Sequence, residues 1–166
     1  PFLLLCLVGG IAIYGLVAPK DQFIHSQMVG KPLPQFAMEP AMPGVQGLSD
    51  KDFRDGRPRL LNIFGSWCLP CQVEAPYLAA LADAGVEIHA IALHDKPEDV
   101  AAFLQKYGNP FVRIGSDYDM RIQLALGSTG VPETYIIGGD GRIIYQHIGD
   151  IRAEHVPILL EKLRQA

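Results

Sequence analysis

Residues 60–71 read Leu60-Leu61-Asn62-Ile63-Phe64-Gly65-Ser66-Trp67-Cys68-Leu69-Pro70-Cys71, and this stretch decides the fold. Its first half belongs to an apolar run over 59–64, which is typical of a strand buried on both faces of a sheet. A helical pattern of apolar residues follows from Gln72 to about Asp83, and Gly85 ends it. Two cysteines separated by two residues therefore lie where a strand passes into a helix.

The rest of the chain alternates between the two kinds of element. The patterns predict strands at 86–93 and 110–114, helices at 97–107 and 117–126, a hairpin of strands at 134–137 and 142–146, and a last helix at 152–164. Parallel strands followed by an antiparallel hairpin predict an α/β protein with a mixed central sheet flanked by helices. Together with Cys-x-x-Cys at the first junction between strand and helix, this order of elements predicts the thioredoxin fold.

The N-terminal stretch predicts export of the domain that follows it. Residues 1–18 carry no charged side chain, and a helix of that length spans about 27 Å, close to the hydrocarbon thickness of a bilayer. We expect a transmembrane signal-anchor at 1–18, a proline-rich tether at 19–43 and a thioredoxin-like domain at 44–166. A cleaved signal peptide is the alternative, although Leu16-Val17-Ala18 is a poor cleavage site.

Composition excludes several other classes of function. The 166 residues have a formal net charge of -4 and no cluster of Lys or Arg, so we expect no nucleic-acid partner. Three cysteines are too few for a disulfide scaffold. A zinc site needs four ligands, and none of the five histidines is spaced to complete one with the cysteine pair. We therefore expect neither a metal nor a cofactor.

The cysteine pair itself has the properties of a redox-active disulfide. Cys68 lies where the helix begins, and unpaired N–H groups and the positive end of the helix dipole there favour a thiolate. Cys71 lies one turn further on, within reach of a disulfide. We expect Cys68 to attack a substrate disulfide and Cys71 to resolve the mixed disulfide. A purely structural disulfide is disfavoured, because closing so short a loop gains little stability.

Several neighbours of the pair are candidates for a role in the reaction. Trp67, Leu69 and Pro70 offer apolar surface on which a substrate can dock. Glu74 and Glu133 are candidates for proton handling. The alternatives are a solvated helix glutamate for the first and a cap for the second.

Val131-Pro132 precedes a predicted strand. It is either a simple turn or, with a cis bond, a place where the Val131 backbone is presented beside the cysteines to a substrate chain.

Five stretches of the sequence carry a family resemblance. Residues 60–74 resemble the membrane-anchored thioredoxin-like reductases of the TlpA/ResA/CcmG group. The resemblance narrows to the cytochrome c biogenesis members (CcmG, also called DsbE) through Tyr107-Gly108-Asn109-Pro110-Phe111, Gly130-Val131-Pro132-Glu133-Thr134-Tyr135-Ile136-Ile137, Asp140-Gly141-Arg142-Ile143 and His147-Ile148-Gly149-Asp150.

This resemblance implies a specific role. It implies a single-pass protein of the inner membrane, with its catalytic domain in the periplasm, that reduces the haem-attachment disulfide of apocytochrome c, directly or through a CcmH-type thiol partner. The electrons would come from a membrane reductant of the DsbD or CcdA type. By position, Cys68 would be the nucleophile, Cys71 the resolving thiol, Pro132 the cis proline, and Glu74 and Glu133 the acidic residues of the site.

One position departs from ordinary thioredoxin, which has a buried aspartate six residues before its first cysteine. This chain has Asn62 there, as the exported relatives do. Asparagine does not titrate, so proton transfer would fall to Glu74 or to a water.

Two other functions stay open from the sequence. One is a general exported thiol:disulfide oxidoreductase, and the other is a membrane-tethered thioredoxin-fold subunit that acts as a binding or chaperone module. A peroxidase is disfavoured, because a tryptophan-led cysteine pair is not the setting of a peroxidatic cysteine.

Overall fold

A computed structural model describes residues 28–166 of the protein. Its strands are β1 (Ala37–Met38), β2 (Leu48–Ser49), β3 (Arg59–Phe64), β4 (Ile88–Leu93), β5 (Arg113–Asp117), β6 (Glu133–Ile137) and β7 (Ile143–Ile148). Its α-helices are α1 (Leu69–Asp83), α2 (Pro97–Tyr107), α3 (Arg121–Ala125) and α4 (His155–Arg164), and a 3-10 helix spans Asp50–Phe53.

The main sheet has the mixed topology that the sequence predicts for a thioredoxin fold. Its five strands run in the order β5-β4-β3-β6-β7. Strands β3, β4 and β5 are parallel, and β6 and β7 are antiparallel to their neighbours. Every residue of β3 is buried, because α1, α2 and α4 cover one face of the sheet, and the N-terminal part of the domain together with the α3 region covers the other.

The predicted transmembrane segment at 1–18 and the first part of the tether, 19–27, lie outside the described residues. Within 28–166, no helix has both the length and the apolar character needed to cross a bilayer.

The described part of the predicted tether is packed on the domain. Leu33 and Phe36 are buried in the same cluster as Leu61 and Ile63, and β1 pairs with β2. The packed unit therefore begins before residue 44, where the sequence places its start. The proline-rich stretch has no helical or strand period, so its burial leaves no local pattern to detect.

The predicted third strand and third helix are displaced. The strand expected at 110–114 is Arg113–Asp117, and the helix expected at 117–126 is reduced to Arg121–Ala125. Gly115 lies beyond the end of the predicted strand, but it is a strand residue against which Met38 packs closely. Asp117 ends the strand, and its carboxylate accepts the N–H groups of Ile122 and Gln123 at the start of the helix.

Candidate active site

The cysteine pair lies at the beginning of α1, one short turn after β3. Cys68 is the N-cap residue, and its Sγ accepts the N–H of Cys71 at 3.2 Å. The two residues form a disulfide with a Cα–Cα distance of 5.3 Å. Both are almost completely buried, with 4% of Cys68 and 1% of Cys71 exposed. A thiolate on Cys68 would keep the Cys71 N–H and the positive end of the helix dipole as its stabilising contacts.

The cis proline lies beside this pair. The Val131–Pro132 peptide bond is cis, as expected from the resemblance. Strand β6 begins at Glu133, which pairs with Ile63, so Pro132 lies level with the end of β3. Val131 packs against the cluster that contains both cysteines. The loop before β6 is therefore next to the redox pair.

Three predicted docking residues form an exposed rim around the buried sulfurs. Trp67 is 58% exposed, Leu69 is 69% exposed, and Pro70 is also exposed. The indole Nε1 of Trp67 donates to the carbonyl of Leu93 at 3.3 Å. The ring lies over Gly65, where a Cβ would come within 2.7 Å of the indole. Val131, the fourth predicted docking residue, is half-buried.

Glu74 is fully buried rather than solvated on the surface of α1. Its Oε1 accepts from Asn62 Nδ2 at 3.0 Å, and its Oε2 accepts the Ile151 N–H at 3.1 Å. Burial raises the pKa of Glu74 to about 7, and the charge of Asp150 adds to this, while the two hydrogen bonds oppose it. The carboxyl group therefore exchanges its proton in the neutral range.

A small cavity, partly open at Gly108 and Pro110, joins this carboxyl group to the resolving cysteine. Asn62, Cys71 and Glu74 line it together with the rings of Phe64, Phe103 and Phe111, and its volume is about 10 Å³. That is near the smallest space that holds one water molecule. Asn62, Cys71 and Glu74 therefore line one small cavity whose other walls are mostly apolar.

Glu133 is also buried, but its contacts lie elsewhere. Its carboxylate accepts the N–H and hydroxyl of Thr129 at 2.9 and 3.0 Å, the hydroxyl of Tyr135 at 2.6 Å and the Gln146 amide at 3.0 Å. These bonds fix the loop before the cis proline to the sheet. The arrangement fits the cap interpretation, and a proton-handling role for Glu133 stays a prediction.

Two contacts of the site have no signal in the sequence. Asp95 follows β4 and binds Ser66, which lies two residues before the nucleophile. Ile151 supplies the N–H that binds Glu74 from 77 positions away. Such contacts join segments that only the folded sheet brings together.

One protein family matches most of the described chain. Residues 28–163 match the Redoxin family. The chain belongs to the Redoxin family. The thiol:disulfide interchange protein HelX of Rhodobacter capsulatus is 31% identical to this chain over 98% of this chain and 92% of its own length. The thiol:disulfide interchange protein DsbE of Escherichia coli K12 is 34% identical over 77% of this chain and 69% of its own.

Solved structures agree with this fold. The thioredoxin domain of a thiol-disulfide oxidoreductase from Bacteroides vulgatus superposes with a TM-score of 0.66 at 19% identity, over 81% of this chain and 96% of that one. A thiol:disulfide interchange protein from Chlorobium tepidum gives 0.64 at 20% identity, over 80% and 95%. Family membership and the bonded cysteine pair together make this Redoxin-family protein a thiol:disulfide oxidoreductase with Cys68 and Cys71 as its redox pair.

Proposed function

We propose that the protein is an exported, membrane-anchored reductase that keeps the haem-attachment cysteines of apocytochrome c reduced during cytochrome c maturation. The observation that carries the exchange chemistry is the buried Glu74, which is held by Asn62 and lines the same small cavity as Cys71. The reducing direction, the substrate and the location are supported by the resemblance to the cytochrome c biogenesis reductases. The uncharged segment at 1–18 supports an anchor in the inner membrane, with the catalytic domain in the periplasm.

The first half of the reaction uses the nucleophile at the helix start. The Cys68 thiolate attacks one sulfur of the substrate disulfide, a new S–S bond forms, and the other substrate sulfur leaves as a thiolate that takes a proton. The exposed Trp67 and Leu69 provide apolar surface for the substrate, and the Val131 backbone is available for pairing with an extended chain.

The second half needs a proton acceptor for the buried Cys71. Its thiol must lose a proton before its sulfur attacks Cys68, and the Glu74 carboxylate is the group placed to receive that proton, directly or through one water. With a pKa of about 7, about half of the Glu74 carboxyl groups are free to accept it at neutral pH. The Cys68–Cys71 disulfide forms, and the second substrate thiol is released.

The cycle closes when the disulfide is reduced again. We propose that a membrane reductant of the DsbD or CcdA type supplies the two electrons. An anchor would hold the domain close to that reductant and to the apocytochrome or a CcmH-type thiol partner. The reaction as proposed uses no cofactor, because the two electrons are carried by the reduced Cys68 and Cys71 thiols, which become the disulfide as the substrate is reduced.

A trapping experiment tests this function. Cys71→Ser leaves the mixed disulfide on Cys68 without a resolving thiol, and we expect membranes to yield a covalent adduct with an apocytochrome c or a CcmH-type protein. Cys68→Ser/Cys71→Ser is the matched control and should yield none. The cytochrome role would be contradicted if the single variant captured no protein of cytochrome maturation.

A general exported oxidoreductase is the second candidate. The apolar rim at Trp67 and Leu69 favours it, because such a surface has no polar group that would select one substrate. Adducts with many unrelated exported proteins would support this candidate. A binding or chaperone subunit would instead be supported if the double serine variant still allowed cytochrome c assembly.

A further inference from the structure

The turn that delivers the nucleophile is tied to the neighbouring strand. The Cys68 N–H donates to the Gly65 carbonyl at 3.1 Å, which closes a turn with Ser66 and Trp67 at its centre. The Trp67 indole binds the carbonyl of Leu93, the last residue of β4. Ser66 binds Asp95, two residues further on. Both central residues of the turn are therefore held by the end of β4.

Ser66 uses all of its polar groups in these contacts. Its N–H donates to Asp95 Oδ2 at 2.6 Å, and its hydroxyl donates to Asp95 Oδ1 at 2.7 Å. Its carbonyl accepts from the side chain of Gln72 at 3.4 Å. A residue bound at three points cannot rotate without breaking several bonds, so the peptide before Trp67 has one orientation.

Asp95 depends on Ser66 in return. Only 7% of Asp95 is exposed, and besides the two donors from Ser66 its side chain accepts the N–H of Lys96 at 3.1 Å. A buried carboxylate is costly unless hydrogen bonds satisfy it, and bonds to a charged acceptor are about twice as strong as neutral ones. The short Ser66–Asp95 hydrogen bonds are therefore strong. Ser66 supplies two of the three donors that the Asp95 side chain accepts.

The last residue of α2 is also connected to this turn, through Gln72. The hydroxyl of Tyr107, the last residue of that helix, donates to Gln72 Oε1 at 2.7 Å. Gln72 in turn holds the Ser66 carbonyl, and its own N–H donates to the Cys68 carbonyl at 3.3 Å. Segment 95–107 thus reaches the active-site turn at both of its ends.

We propose that Asp95, acting through Ser66, is a positioning residue for thiol–disulfide exchange. It fixes the turn so that the Cys68 sulfur stays at the N-cap of α1, where the Cys71 N–H points at it. Without Asp95 the turn has other orientations, and the sulfur leaves the position in which the helix start stabilises its thiolate.

A purely electrostatic role for Asp95 makes the opposite prediction. A carboxylate near the turn disfavours a nearby thiolate, so removing only its charge would lower the pKa of Cys68. Loss of positioning removes a stabilising contact of the thiolate and raises that pKa towards the ordinary cysteine value of about 8.5. The direction of the change therefore distinguishes the two roles.

The test compares Asp95→Asn with Ser66→Ala in the full-length reduced protein. An amide at 95 can accept only one of the two Ser66 donors, whereas alanine at 66 removes the hydroxyl and keeps the N–H bond. We expect Asp95→Asn to raise the Cys68 pKa by about one unit, measured as the pH dependence of iodoacetamide alkylation. We also expect it to slow reduction of a disulfide peptide about tenfold, below the roughly hundredfold that a 1 Å misplacement can cost.

Two further variants, Tyr107→Phe and Asp99→Asn, complete the test. Ser66→Ala and Tyr107→Phe should raise the Cys68 pKa in the same direction by smaller amounts. Asp99→Asn, which removes an exposed charge from the first turn of α2, should change neither quantity. If Asp95→Asn does not fold, as judged by circular dichroism, the comparison of Ser66→Ala with Asp99→Asn decides. A lowered or unchanged Cys68 pKa in the folded variants would overturn the proposal.

Discussion

Replacing Glu74 by glutamine should remove a pH dependence from the stability of the protein. Burial raises the pKa of this carboxyl group from 4.5 to about 7, so the folded protein holds a proton that the unfolded chain releases above pH 4.5. Stability is therefore highest below pH 4.5 and is lost as the pH rises from 4.5 to about 7. A pKa change of this size corresponds to about 3 kcal/mol in the free energy of unfolding.

The substitution is well matched to the site. A glutamine Oε1 can still accept the Ile151 N–H, and its Nε2 would then face Asn62. The Asn62 Oδ1 has no hydrogen-bond partner among the described residues, so rotation of that amide gives the new donor an acceptor. The variant should fold with the neutral site that the wild-type protein has only at acid pH.

Urea unfolding of the oxidised protein at pH 4 to 8 measures the effect. We expect Glu74→Gln to gain about 3 kcal/mol relative to wild type between pH 4 and 8, most of it below pH 7. Glu98→Gln, which changes an exposed carboxyl group of α2, should keep the wild-type profile. If the stability difference between Glu74→Gln and wild type is constant across this range, the pKa of Glu74 is not raised in the folded protein.

Three other substitutions test the surroundings of the pair. In wild type, the rate of interchange should change its pH dependence near pH 7, where Glu74 titrates. Asn62→Asp places a second carboxyl group against Glu74. Because two close carboxylates resist joint ionisation, this change should move to higher pH. Glu133→Ala leaves the buried hydroxyl of Tyr135 and the two donors of Thr129 without their acceptor. It should lower the free energy of unfolding by about 3 kcal/mol, measured by urea unfolding, and should leave the pH dependence of the interchange rate near pH 7 unchanged. Trp67→Ala should slow interchange with a protein substrate about tenfold but leave the reaction with a small disulfide unchanged, because only the large substrate uses the exposed indole.

Local patterns predicted the elements that position the pair. The apolar run at 59–64 is β3 without a change of bounds, and the helix after Cys68 ends at Asp83 as the periodicity indicates. The mixed sheet followed from the order of the predicted elements, and the cis proline followed from the family resemblance. These features depend on neighbours in sequence or on a motif, which is why they could be predicted.

Contacts between distant segments could not be predicted. Glu74 was a candidate for its place one turn after Cys71, but its burial depends on the Ile151 loop 77 positions away. Asp95 lies in a stretch of exposed polar residues and gave no sign that its carboxylate binds Ser66. The predicted strand stopped before Gly115, because the side chain that packs against this glycine, Met38, belongs to another segment.

The proposed reduction of apocytochrome c is tested most directly with a disulfide peptide that has the haem-attachment pattern Cys-x-x-Cys-His. Trp67 is the single tryptophan of the chain and lies beside the pair, so its fluorescence reports the oxidation of the cysteines in a single turnover. The prereduced protein should transfer two electrons to the peptide, with a rate that breaks near pH 7 in wild type and not in Glu74→Gln. If the peptide stays oxidised while Cys68 and Cys71 stay reduced, the protein is not a reductase of the haem-attachment disulfide.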